Sequence, residues 1–212
     1  MGESTEMGPP NEWRVPIQER SRRRFDEILA AASAELDDVG WQRLTMASVA
    51  RRSNGSIGSV YRYFPNKLSL VAALIEQQNE RWLSVLDADA HDETPFEDTV
   101  LAIVDRYGTE VRGTPGLLSI SRAALVDGDA YQLFQRALCP VRQWTAEALG
   151  HRLPRLETSR LQEVAAVTVE AVQSLMFFSF QSDSPTRGDI LQELRLIVRG
   201  YFNELRQEHD RQ

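Results

Sequence analysis

Between Phe25 and Leu36 the apolar residues Phe25, Ile28, Leu29, Ala32 and Leu36 fall at i, i+3, i+4, i+7 and i+11. That spacing puts them on one face of an α-helix. It predicts a first helix over about 19–38, closed by Val39-Gly40, a glycine where a left-handed residue is usual. Thr45 then reads as the N-cap of a short helix over 46–52 with Val49 and Ala50 inward. Asn54-Gly55 breaks that helix, both residues tolerating positive φ. Ser56 caps the next, 57–64, and Pro65 stops it because the residue before proline avoids the α region. The pattern over 45–64 is therefore helix, tight turn, helix.

Helical periodicity continues to the end of the chain. Asn66 caps a longer helix with Leu68, Val71, Ala72, Ile75, Trp82 and Leu86 on one stripe. Thr94-Pro95-Phe96-Glu97 reads as a capping box with proline at the first helical position, opening a helix to about 112. Helices over 115–126 and 129–149 are expected next, the second kinked at Pro140. Ser159 to Gln162 reads as another capping box, opening an apolar helix to about 181. Ser184-Pro185 starts the last helix, whose apolar stripe runs from Ile190 to Leu205. Alternating β-branched runs are missing, so the fold class is all-α. Residues 1–18, rich in Gly, Pro, Ser and Glu without periodicity, are expected to be a disordered arm.

Composition narrows the setting. A chain of 212 residues with 42% hydrophobic content can bury a core, as one large domain or two small ones. One cysteine, Cys139, rules out an intramolecular disulfide framework and suits a reducing compartment. The stretch 1–24 is polar and carries no apolar signal core. The most apolar run, 164–180, includes Glu170 and Gln173 and is short for a membrane span. A cytoplasmic protein without a membrane partner is expected. The histidines, His91, His151 and His209, are scattered, and no metal-ligand spacing, nucleophile elbow or phosphate-binding loop appears. Neither catalysis nor a cofactor is expected.

Charge changes the picture further. The net charge of −7 argues against a polyanion partner, but its distribution does not. Residues 13–75 hold ten basic and six acidic side chains, a net of +4, whereas 81–212 hold 14 basic and 20 acidic, a net of −6. A basic front and an acidic back fit a nucleic-acid-binding N-terminal region.

The stretch from Ser53 to Lys67 supplies matching chemistry. A helix that reads DNA needs small leading residues, so that its backbone can approach the base edges, and donors for phosphates on its flanks. Ser56, Gly58 and Ser59 are small; Tyr61, Tyr63 and Lys67 carry hydroxyl and ammonium donors. Arg62 is long enough for a guanine edge, and Val60 and Phe64, four apart, would hold the helix on its partner. Lys67 is the single lysine among 24 basic residues.

These residues carry a family resemblance. Ile28-Leu29-Ala30-Ala31-Ala32, Gly40, Thr45, Val49-Ala50, Gly58, the run Val60 to Lys67 and Leu70 together resemble the DNA-binding domain of the TetR family of bacterial transcriptional regulators. The resemblance spans Arg22 to Ile75, about a quarter of the chain. It implies that Thr45, Tyr63 and Lys67 hold phosphates and that Ile57, Gly58, Ser59, Tyr61 and Arg62 approach bases or backbone. Two positions depart from the family's habit: Gly55 stands where a valine-like residue commonly packs, and Ile57 where a polar or basic residue is common. The first suggests a looser turn, the second an apolar base contact such as a thymine methyl.

The resemblance also implies a helix-turn-helix domain over 19–65, then a helical-bundle ligand-binding and dimerisation domain over 66–212. A homodimer through the last two helices is expected, with Val172, Ile197 and Tyr201 at the interface. Residues 164–180 support this independently, being apolar nearly all round and so in need of burial on two sides. Candidate ligand-lining residues are Trp82, Phe96, Tyr107, Tyr131, Phe134, Trp144, Met176 and Phe177, suited to a small apolar or aromatic effector. The expected function is a homodimeric repressor on a palindromic double-stranded operator. The alternative is a small-molecule- or protein-binding module whose DNA reader has decayed.

Overall fold

The computed structural model describes residues 13, 15–89, 94–181 and 187–211. The elements are α1 Glu19–Arg43, α2 Met46–Arg52, α3 Ile57–Tyr63, α4 Lys67–Asp89, α5 Phe96–Gly113, α6 Leu117–Ala123, α7 Gly128–Ala137, α8 Cys139–Arg152, α9 Thr158–Gln181 and α10 Arg187–Arg211. No strand occurs among the described residues, and the chain is all-α as its periodicity predicts. It divides into two compact units. One takes the described residues up to Gln77 with Pro115–Ile120; the other takes Gln78–Thr114 and Ser121–Gln212.

In the first unit, α1 buries Phe25, Ile28, Leu29, Ala31, Ala32, Leu36 and Trp41. Gly40, at φ 76° and ψ 173°, interrupts the helix where the sequence expects its end. The helix then resumes to Arg43, because Trp41 is drawn into the core with 6% exposure. Trp13 is also buried, which gives the stretch expected to be disordered an anchored residue. Residues 1–12 and Arg14 lie outside the described residues.

The segment Pro115–Ile120 is fastened to α1. Ser33 Oγ donates to the Pro115 carbonyl at 2.5 Å, and the Gly116 amide donates to Asp37 Oδ1 at 3.3 Å. Gly116 sits at φ +75°, and a Cβ there would lie 2.5 Å from the Ser33 carbonyl oxygen. Gly116→Ala therefore meets both left-handed strain and a backbone collision. It is expected to cost about 2 kcal/mol, read as a lower midpoint in chemical denaturation. An unchanged midpoint would mean that this segment shifts without cost.

In the second unit α9 packs on α5, α8 and α10, α10 packs on α5, and α7 on α8. Val164, Ala165, Met176 and Phe177 of α9 and Leu194, Val198, Phe202 and Leu205 of α10 are buried in its core. By length and composition Thr158–Ser179 could cross a bilayer, with mean hydropathy 1.2. In this unit 39% of that stretch is buried, where α9 packs on its neighbours.

Three expected details differ. The capping box at 94–97 does not form. Pro95 takes the N-cap position, and the Glu97 carboxylate faces both contacts from Arg206 Nη1 at 2.5 and 2.6 Å instead of turning back to Thr94. The box at 159–162 is displaced: α9 already starts at Thr158, with the Leu161 amide bonded to the Glu157 carbonyl. Pro140 does not kink one helix but stands in the first turn of a second, where its missing N–H removes no helical bond. Arg142 closes that break by donating to the Gln135 carbonyl at 3.3 Å and pairing with Glu170.

Candidate nucleic-acid interface

The helix-turn-helix is built on local caps. Thr45 Oγ1 accepts from the Ser48 amide at 3.1 Å, while Ser48 Oγ accepts from the Thr45 amide at 3.2 Å, a reciprocal box starting α2. Ser56 Oγ accepts from the Ser59 amide at 3.2 Å to start α3. Asn66 and Ser69 repeat the box for α4, at 2.8 and 3.1 Å. Between α2 and α3 the Asn54 amide bonds the Arg51 carbonyl and the Gly55 amide bonds the Ala50 carbonyl, with Asn54 at φ 51°. That is a Schellman closure with Asn54 as the left-handed residue.

The faces of α3 are divided by its packing. Val60 and Phe64 are fully buried, Phe64 lying 4.9 Å from Phe25 between ring centroids. Ile57 is 46% and Tyr61 48% exposed, and Gly58 and Arg62 are exposed beside them. Apolar Ile57 and aromatic Tyr61 thus spend half their surface in water, at the tip and one turn along the same face. Nothing crowds Gly58, so the backbone there is open to approach. Ser59 is half-buried at the edge of this face, and Thr45 and Ser56 are exposed at the two caps.

The two tyrosines separate. Tyr61 faces out, whereas Tyr63, three residues after Val60, turns in and packs edge-on to Phe25 at 6.1 Å. Its hydroxyl accepts from Arg62 Nη2 at 2.9 Å, and the Arg62 guanidinium lies 4.9 Å from its ring centroid. Lys67 donates to the Trp41 carbonyl at 2.7 Å, with its ammonium 4.1 Å from the centroid of the Trp41 ring system. That contact secures the extension of α1 beyond Gly40. No sequence signal pairs position 41 with position 67, since only the fold brings them together.

The residues named for the second unit scatter. Phe134 and Phe177 meet edge-on at 5.0 Å, both buried, and Met176 and Trp144 are buried as well. Phe96 packs on Phe202 at 5.2 Å beneath the Arg152 guanidinium. Tyr107 is half-buried by residue, yet burial pushes its phenol well above its ordinary ionisation range. Tyr131 is 48% exposed, and the side chain of Trp82 lies outside the described residues. A cleft of about 630 Å³ opens between α8 and α9, lined by Arg142, Ala146, Glu147, Gly150 and Leu161, none of them among the expected ligand residues. Of the expected interface residues, Ile197 is 50% exposed and Val172 and Tyr201 are half-buried.

Known proteins share this arrangement. The family described as bacterial regulatory proteins, tetR family, matches residues 28–74, which enclose the helix-turn-helix. The repressor KstR of Mycolicibacterium smegmatis is 30% identical over 114 residues, 53% of each chain. The chain spans about half the length of the curated relatives it matches. A TetR-family transcriptional regulator from Streptomyces coelicolor is 27% identical, covering 85% of this chain and 98% of its own, with a TM-score of 0.65. The fold is also that of the regulator FadR from Bacillus subtilis, solved in complex with stearoyl-CoA, at 12% identity, 80% and 97% coverage and a TM-score of 0.66. Helix α3 lies inside the matched segment and the likeness to the Streptomyces protein continues through both units, so residues 28–74 carry the tetR-family match and the chain is similar to TetR-family transcriptional regulators.

Proposed function

We propose that the protein is a DNA-binding transcriptional regulator, a homodimeric repressor released from a palindromic operator by a small, largely apolar or aromatic effector. The observation that carries this reading is the division of α3: Val60, Tyr63 and Phe64 lock it down, and Ile57, Gly58, Tyr61 and Arg62 face outward from a capped helix start. Two such helices, one per subunit, would enter successive major grooves of a two-fold operator. Arg62 reaches the bases by leaving the Tyr63 ring, and Thr45, Tyr63 and Lys67 flank the phosphates.

Release requires an effector that favours one conformation. Moving a 1:99 balance to 99:1 takes about 5.5 kcal/mol of differential affinity. The aromatic pair Phe134–Phe177 and the long-chain acyl ligand of the FadR neighbour support an apolar effector. The alternative of a decayed reader rests on the loose turn expected at Gly55 and on apolar Ile57. The space at Gly55 is filled by Arg24, which speaks against the first of these two features.

The test is fluorescence anisotropy with DNA from upstream of the protein's own gene, at several salt concentrations. Arg62→Ala is expected to weaken specific binding about 5- to 150-fold, from the roughly 1–3 kcal/mol that a bidentate base contact supplies. Binding to scrambled DNA should change little. Equal loss on every sequence would make Arg62 a phosphate contact, and a wild type blind to all DNA would remove the reading.

A further inference from the structure

We propose that Arg24 is a positioning residue for the reading helix, and that position 55 is glycine in order to admit its guanidinium. The inference rests on the DNA-binding reading above and names how this chain sets the pitch of α3.

Arg24 lies in the arginine-rich start of α1, a largely charged run from Glu19 to Arg24. Its side chain is only 20% exposed. Nη1 donates to the Ser53 carbonyl at 2.6 Å and to Glu27 at 2.9 Å. Nη2 donates to Ser53 Oγ at 3.0 Å, and Nε points at Ser59 Oγ at 3.5 Å. One planar fork thereby joins α1, Ser53 at the C-cap of α2 and the first turn of α3. A cation at the C-terminal end of α2 is also favoured by the helix dipole. Ser53 is itself buried and donates to the Ala50 carbonyl, so the group Arg24 holds is firmly seated.

Gly55 completes the argument. Glycine is usually required by a positive φ, but in this turn Asn54 takes the left-handed conformation and Gly55 does not. Backbone geometry therefore permits a side chain at 55. A side chain there would have to displace the Arg24 guanidinium: a Cβ at 55 would lie 1.8 Å from Nη2 and 2.9 Å from Cζ. The space a valine-like residue commonly fills in the family is here filled by an arginine from another helix. The turn is braced by hydrogen bonds in place of apolar packing.

Two residues that serve one contact must be coupled. Arg24→Ala, Gly55→Val and the double variant, all full-length, would be titrated against the upstream DNA and a scrambled duplex, below the unfolding transition. Each single variant is expected to lower the preference for the upstream DNA about tenfold, with the double no worse than either single. The salt slope of Arg24→Ala should match the wild type. Three results would overturn the proposal: losses that multiply in the double variant, an unchanged preference in both singles, or a slope smaller by about 0.9, the mark of a lost phosphate contact. If the wild type binds no DNA, the operator reading fails. The brace is then judged on denaturation midpoints, where coupled losses support it and additive losses refute it.

Discussion

Arginine in place of both Phe178 and Ile197 is expected to give monomers at micromolar concentration, where the wild type is expected to elute as a dimer. On α9 Val167 and Phe178, three turns apart, are 52% and 57% exposed, with Ala171 and Ser174 on the same stripe. On α10 Leu196 and Ile197 are 59% and 50% exposed. The two helices pack on one another, so each subunit presents two neighbouring apolar edges. An isologous contact of this kind brings each stripe against its own copy, so every substitution is counted twice. Burying an unpaired cation costs roughly 3–5 kcal/mol when a partner is lacking. Even half that figure at each of four positions shifts the dissociation constant by several powers of ten. Sedimentation or light scattering decides it. A monomeric wild type would remove the dimer, and a dimeric double variant would place the interface elsewhere.

Phe64→Ala should unfold the first unit, or come close to it. Phe64 has no exposed surface, and it lies 4.9 Å from Phe25 and 6.4 Å from Tyr63 between ring centroids. Truncating a buried phenylalanine typically costs about 3–5 kcal/mol, against a whole-domain stability of about 5–15 kcal/mol. The same unit offers an internal control. Tyr61→Ala, two residues before the inward Tyr63, should change stability by less than about 0.5 kcal/mol while weakening DNA binding. Calorimetry with parallel anisotropy separates the two. If Phe64→Ala keeps a wild-type melting profile, the aromatic cluster is not what secures α3.

Much of this molecule was written in local chemistry. The α1 stripe, the N-caps at Thr45, Ser56 and Asn66 and the stop at Pro65 act within a few residues of themselves, so periodicity and capping rules sufficed to predict them. The inward role of Val60 and Phe64 followed from the four-residue spacing alone. Position 63 shows where an expectation from chemistry was overridden by spacing: a tyrosine beside an arginine suggested a surface donor, yet its helical phase with Val60 turns the ring inward.

What the chain's order could not show depends on partners distant in sequence. Glu97 leaves its expected capping partner because Arg206, on α10, offers a charged bond in a buried place. Trp41 and Lys67 find each other across two intervening helices. Gly55 looked like a loosened turn, and only the folded structure revealed Arg24 occupying its missing side chain. The sequence by itself determined the helices, their caps and the family of the reader, because those rest on contacts within a turn or two. Tertiary structure decided which polar groups pair and which apolar faces stay open, because those depend on space that several helices enclose together.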